Sequence, residues 1–338
     1  MFSFDREHIL LEIEVMPKNE FFYEDIASPL AWRRKTIKQG SWLIKLPDEA
    51  IREIREFINE LRSNPVPIEV LDPKDYELET CALLMNTVRQ QLAEGLGFAV
   101  VDGLPSTDFD KLEMKQIYWI MSNMIERPVA QSYDGRLLYD VFNTGAKIDT
   151  RVRGDLTNQE LSWHTDYGFN FPPPFIGLLT LKTAPLGGIS RVASMLTAHN
   201  VLRQEYPEYL ERLYQPFWWN RQGEHPTGDA PTHFYPIFSF DKGSVKGRYI
   251  KWLLYKGYEL MNQTFDEVGQ NALETMFDIM SDPENHISFE LKEGQIQYVN
   301  NFAIAHSRTN YQDAGGSQDK RHLVRIFLRD LDRRSYMG

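Results

Sequence analysis

Three short stretches of this 338-residue chain combine residue types and spacings that suit chemistry. The first is LSWHTDYGFNFPPPF (161–175), with His164 and Asp166 two apart among apolar residues. On a strand, side chains two apart share a face, so this spacing predicts that both point the same way. An imidazole nitrogen beside a carboxylate oxygen can then form two neighbouring ligands of one divalent metal. The plainer alternative is a hydrogen-bonded His–Asp pair on a sheet, because a chain with 8 histidines produces such triplets by chance.

The second stretch is VNNFAIAHSR, where His306 lies in an apolar, strand-like run about 140 residues further on. The third is DKRHLVRIFLRDL, in which Arg321, Leu323 and Arg325 share one strand face. Buried guanidinium groups need anionic partners, and their planar fork fits a carboxylate in bidentate fashion. Acidic residues of this chain or the acid of a ligand would serve. Together, His164, Asp166 and His306 would make a two-His, one-carboxylate face with open positions, the arrangement of non-haem Fe(II) sites that activate oxygen. An arginine nearby would hold the remote carboxylate of a chelating keto acid.

Composition sets the frame for such a site. At 42% hydrophobic and 25% charged residues the chain reads as an ordinary globular protein, and no linker divides it, so one domain is expected. The net charge of -11 disfavours nucleic acid and anionic membranes as partners and leaves a small molecule; a homo-oligomer stays open. No run approaches the ~20 apolar residues of a membrane span. The acidic start lacks a signal-peptide pattern, and the single cysteine, Cys81, excludes an internal disulfide, so a cytoplasmic location is expected.

The elements that must position the site follow from periodicity. Helices are predicted over 47–64, 77–97, 110–125, 197–214 and 265–282, and strands over 98–104, 135–142, 175–184 and 189–195 and in the final third. The polar stretch 143–159 and the aromatic stretch 217–235 are candidate lids, and Trp218, Trp219, Phe234 and Tyr235 would line the pocket or equally pack as ordinary core. Front-loaded helices followed by short strands suggest an α+β protein with a β-sandwich or jelly roll.

The stretches GFAVVDGLP, SWHTDYGF, APLGGISRVAS, PIFSFDKG and EGQIQYVNNFAIAHSR through DKRHLVRIFLRDL, in this order over roughly 80–332, resemble the taurine dioxygenase-like (TauD/TfdA, clavaminate synthase-like) branch of the Fe(II)/2-oxoglutarate-dependent oxygenases. The resemblance implies a double-stranded β-helix (jelly-roll) core with flanking helices. It implies an oxygenase domain over 76–338 and an N-terminal extension, 1–75, packed on it. By position, His164, Asp166 and His306 match the iron ligands; Arg321 and Ser190 match the 2-oxoglutarate contacts. Arg325 matches a position that binds an acidic group of the substrate and Glu160 a pocket-lining position; Asn301 is a further candidate, either as a substrate contact in the pocket or as a residue that supports a metal ligand from behind.

The implied reaction consumes O2 and 2-oxoglutarate, releases succinate and CO2, and oxidises an unactivated C–H of a small molecule. Asp166 is present, which favours hydroxylation over the halogenation of relatives that lack this ligand. Desaturation, epoxidation and ring formation remain alternatives with the same cofactors. Arg325 with an inward Glu160 would suit a zwitterion such as an amino acid. A keto-acid-independent cupin-like metalloenzyme or a catalytically inactive binding protein would leave both arginines unassigned.

Overall fold

The computed structural model describes residues 21–145, 156–314, 320–332 and 334–336. Eleven strands build the two sheets that matter for the site. In chain order they are β1 (Leu43–Lys45), β2 (Phe98–Asp102), β3 (Pro128–Val129), β4 (Leu138–Phe142), β5 (Leu161–His164), β6 (Phe175–Lys182), β7 (Ser190–Ser194), β8 (His286–Phe289), β9 (Ile296–Asn300), β10 (Ile304–Arg308) and β11 (His322–Leu328). The larger sheet has the order β1-β2-β9-β6-β11-β3, with β4 also on β11; the smaller has the order β8-β7-β10-β5. This two-sheet core with flanking helices is the expected α+β jelly roll.

Alternation along the strands divides the interior in two. On β11, Leu323 and Phe327 join the apolar cluster between the sheets, while Val324, Ile326 and Leu328 join a second cluster under helices. Helices Asp48–Ser63, Glu79–Ala93 and Lys111–Asn123 cover that second face. The shared face expected for Arg321, Leu323 and Arg325 is therefore the inner one.

The helix predicted over 197–214 is two helices, Met195–Glu205 and Pro207–Leu213. Pro207 lacks an N–H and starts a new helix at its first turn. The helix Lys251–Leu260 had no counterpart in the sequence reading. In the N-terminal stretch, β1 runs parallel to β2, with Leu43 opposite Val100, so this segment supplies an edge strand to the larger sheet. Cys81 is buried in the helical cluster. Among the described residues no helix is long and apolar enough to cross a membrane.

One buried carboxylate ties the N-terminal helix to its neighbour. The residue before helix Glu79–Ala93 is Leu78, which offers no capping side chain. Glu53, from helix Asp48–Ser63, instead accepts hydrogen bonds from the N–H groups of Thr80 (2.8 Å) and Cys81 (2.9 Å). Burial alone would raise its pKa, but these donors outweigh burial and hold it below the ordinary carboxylate value. Its contribution is therefore present above the unfolded-state pKa and lost as pH falls through the folded one. Replacing Glu53 with Ala should cost about 0.5–2 kcal/mol in urea unfolding at neutral pH. The difference should shrink in acid, and an equal loss at all pH values would refute the charged cap.

Candidate active site

β5 and β10 pair antiparallel with His164 opposite His306, so the sheet joins residues far apart in sequence. Their ring centroids lie 4.2 Å apart. Between this pair and the next, Leu161 opposite Arg308, β5 carries one extra residue, a bulge of the kind that re-aims side chains beside active sites. Within it, Nδ1–H of His164 donates to the Ser162 carbonyl at 2.8 Å, which leaves Nε2 as the free lone pair. His306 is buried, and burial, with His164 and Arg325 nearby, pushes its pKa down to about 3. Its imidazole is thus neutral at physiological pH.

Asp166 reaches the same place by a route the alternation argument did not foresee. β5 ends at His164, so Asp166 lies beyond the strand, in a turn whose next residue, Tyr167, has φ +62°. Asn301 holds it there: Asp166 N–H donates to Asn301 Oδ1 at 2.7 Å, and Asn301 Nδ2 donates to the Asp166 carbonyl at 2.8 Å. Asp166 Oδ1 then lies 3.6 Å from His164 Nε2. Ligand atoms of His164, Asp166 and His306 all fall within 4.8 Å of one another, the metal-capable group found among the described residues. Two imidazoles, of which the buried His306 is neutral, and one carboxylate fit a hard-to-borderline divalent cation, and Nδ1 of His306 has no hydrogen-bond partner among the described residues.

A cavity of about 330 Å³ opens beside the group, lined by His164, Asp166 and Arg325 and walled by aromatics including Trp163, Tyr167 and Phe327. The Arg325 guanidinium is held in a slot between the Tyr139 ring (5.2 Å) and the Phe327 ring (5.0 Å). Its Nε donates to Gln131 Oε1 at 2.9 Å, and its Nη1 lies 3.4 Å from Asp166 Oδ2. Gln131 is itself fixed, because its Nε2 donates to the carbonyls of Leu137 (2.9 Å) and Arg325 (3.0 Å). Gln131 was missed in the sequence, where nothing marks it.

Arg321 is buried away from this cavity, against the Tyr311 ring at 5.1 Å. A Cβ at Gly188 would come within 3.0 Å of its Nε, so the glycine turn before Ser190 makes room for the guanidinium. Burial and the neighbouring Arg308 lower its pKa to about 10, which leaves it charged at neutral pH. Arg308, absent from the predicted set, lies against the same ring at 4.6 Å and donates to the Thr157 carbonyl at 3.1 Å. Its position two after His306 on one strand was the available signal. Ser190 is buried on β7, opposite Arg308 in β10.

Three expectations need correction. Glu160 points outward, its side chain 59% exposed and paired with Arg191, so it is not an acidic wall of the cavity. Asn301 is fully buried and does not line the cavity, so its pocket role is set aside; its amide bonds to the Asp166 backbone, in keeping with the supporting role that was the other expectation. Trp218, Trp219, Phe234 and Tyr235 lie on a ribbon (Phe217–Asn220 with Thr232–Tyr235) and none of them lines the cavity, though Gln222 from its loop does. Of the other candidate lid, residues 146–155 lie outside the described residues, as do 315–319 of the loop before Arg321. His199 and His322 take other partners, Tyr214 (3.0 Å) and Asp140 (2.7 Å).

Comparisons with known proteins bear on the fold and the family. FR-33289 synthase of Streptomyces rubellomurinus is 29% identical over 315 residues, covering 91% of each chain. A crystal structure of asparagine oxygenase with Fe(II), 2S,3S-3-hydroxyasparagine and succinate aligns with TM-score 0.62 at 19% identity, over 86% of this chain and 94% of that one. The non-heme iron oxygenase OrfP with Fe and alpha-ketoglutaric acid aligns with TM-score 0.63 at 15% identity, over 85% and 94%. The model of the family described as "Taurine catabolism dioxygenase TauD, TfdA family" matches residues 68–327, and the chain belongs to this family of non-haem Fe(II)/2-oxoglutarate-dependent oxygenases.

Proposed function

We propose that His164, Asp166 and His306 hold the Fe(II), that Arg321 and Ser190 hold 2-oxoglutarate, and that the chain hydroxylates a small acidic molecule anchored at Arg325. The observation that carries this reading is the convergence of three ligand atoms within 4.8 Å at the wall of a cavity that Arg325 also lines. When bound, iron with 2-oxoglutarate and O2 supplies the oxidising chemistry and yields succinate and CO2.

The chain contributes orientation and charge. The Ser162 carbonyl orients the His164 ring, and burial keeps His306 neutral, so the latter can ligate without losing a proton. Gln131 and two aromatic rings aim Arg325 at the ligand side of the cavity. An acid bound there would present its neighbouring carbons close to Asp166. Because Arg321 does not line this cavity, the cosubstrate acid and the substrate acid would each meet a separate cation. The aromatic wall keeps bulk water from the reacting C–H.

The crystals of related proteins hold hydroxylated amino acids, hydroxyasparagine in one and (3S)-hydroxy-L-Arg in another, which supports small polar acids as the class to test. With Glu160 turned to solvent, an ammonium group is no longer a requirement of the reading.

The test is succinate formation from 2-oxoglutarate with Fe(II), ascorbate and oxygen across a panel of acids with and without an amine. Stimulation by acids is expected, and the Asp166→Ala variant should form no succinate; full turnover in that variant would sink the ligand assignment. The Arg321→Ala variant should raise the KM for 2-oxoglutarate roughly 10- to 100-fold, the equivalent of a lost charge-assisted contact. Arg325→Ala should do the same to the KM of the stimulating acid and leave that of 2-oxoglutarate within about twofold. The reverse pattern would exchange the two arginines.

A further inference from the structure

We infer that Asn301 is a positioning residue for the iron site: its side-chain amide stands in for a missing strand neighbour and sets where the Asp166 carboxylate falls. The inference rests on the proposed ligand set. β5 stops at His164, and the next residue is still tied to a neighbour, since Thr165 N–H donates to the Tyr249 carbonyl at 2.8 Å. From Asp166 onward that ladder ends. The Asn301 amide then pairs with the Asp166 peptide through both a donor and an acceptor, as one strand pairs with another.

Its orientation is not free to reverse. Nδ2 also donates to the Pro173 carbonyl at 3.1 Å, so a flipped amide would set oxygen against two carbonyls and donors against an N–H. The Asn301 backbone N–H donates to the Pro174 carbonyl at 2.8 Å. One residue therefore joins the Asp166 turn, the proline run and the turn leading into β10, which carries His306. It controls the distance between ligands from two segments. The proline run acquires a role here, because its carbonyls accept bonds while its nitrogens offer no competing donors.

Losing this brace should be read in metal affinity before it is read in folding. Partners that orient a ligand typically account for 10- to 100-fold in affinity. The experiment is Mn(II) titration by calorimetry, with thermal unfolding of the metal-free protein measured alongside. Wild type should bind one Mn(II), and Asp166→Ala should bind none. Asn301→Ala should weaken binding by about 10- to 100-fold. Asn301→Asp keeps size and the acceptor for the Asp166 N–H but loses the donors, and should also bind more weakly; it decides the matter if Asn301→Ala does not fold. Mn(II) affinity within about twofold of wild type, together with a lowered metal-free melting temperature, would reduce Asn301 to a structural role and overturn the inference. Wild-type affinity in Asp166→Ala would instead overturn the ligand set on which it rests.

Discussion

The site depends on one antiparallel register, β5 against β10 with His164 opposite His306. Side chains alternate along a strand, so a slip of one residue would send one of the two imidazoles to the opposite face. β10 is held on its other edge by β7, with His306 opposite Val192 and Ser190 opposite Arg308. The same strand thus spaces both parts of the centre. His306 serves the metal-capable group, and two residues later Arg308 lies with Arg321 around Tyr311. A single strand sets how far the two regions stand from each other.

Burying several guanidinium groups near one another is costly unless each is compensated. Part of the compensation here is ionic, from the Asp166 carboxylate 3.4 Å from Arg325 Nη1, and part is neutral. Arg308 donates to the Thr157 and Gln159 carbonyls, Arg325 to the Gln131 amide, and aromatic rings flank all three of Arg308, Arg321 and Arg325. Carbonyls, amides and π faces orient a cation without cancelling its charge. Although the chain carries a net charge of -11, three buried guanidinium groups gather near its centre. Composition alone gives no sign of that.

Much of the fold was legible because its signals are local. The five helices predicted by periodicity exist, apart from the break before Pro207, and the inner face of β11 followed from alternation. The metal-capable trio was legible from residue types, but for a partly wrong reason: strand alternation does not extend to Asp166. What failed was orientation at strand ends. Glu160 stands just before β5, where one change of direction turned it to solvent and Arg191. Gln131 acts through a backbone carbonyl of a distant segment, and an amide residue carries no sequence pattern that reveals such a partner.

The cavity wall shows how a shared core can hold a private pocket. Tyr167 stacks edge-on to Phe327 (5.8 Å) and to Tyr336 (5.9 Å), a residue beyond the stretch that matches the family model. Asn170 gathers these contacts: its Nδ2 donates to the hydroxyls of Tyr167 (3.2 Å) and Tyr336 (3.0 Å), and its Oδ1 accepts from Arg221 at 2.7 Å. The ligand turn and the wall are therefore one continuous piece of chain, 164–170, braced by Asn301 at its start and by Asn170 at its end. The first end carries Asp166 of the metal-capable trio. The wall end is held by residues from the 217–235 ribbon and the C-terminal segment, so its shape depends on contacts other than those that fix Asp166.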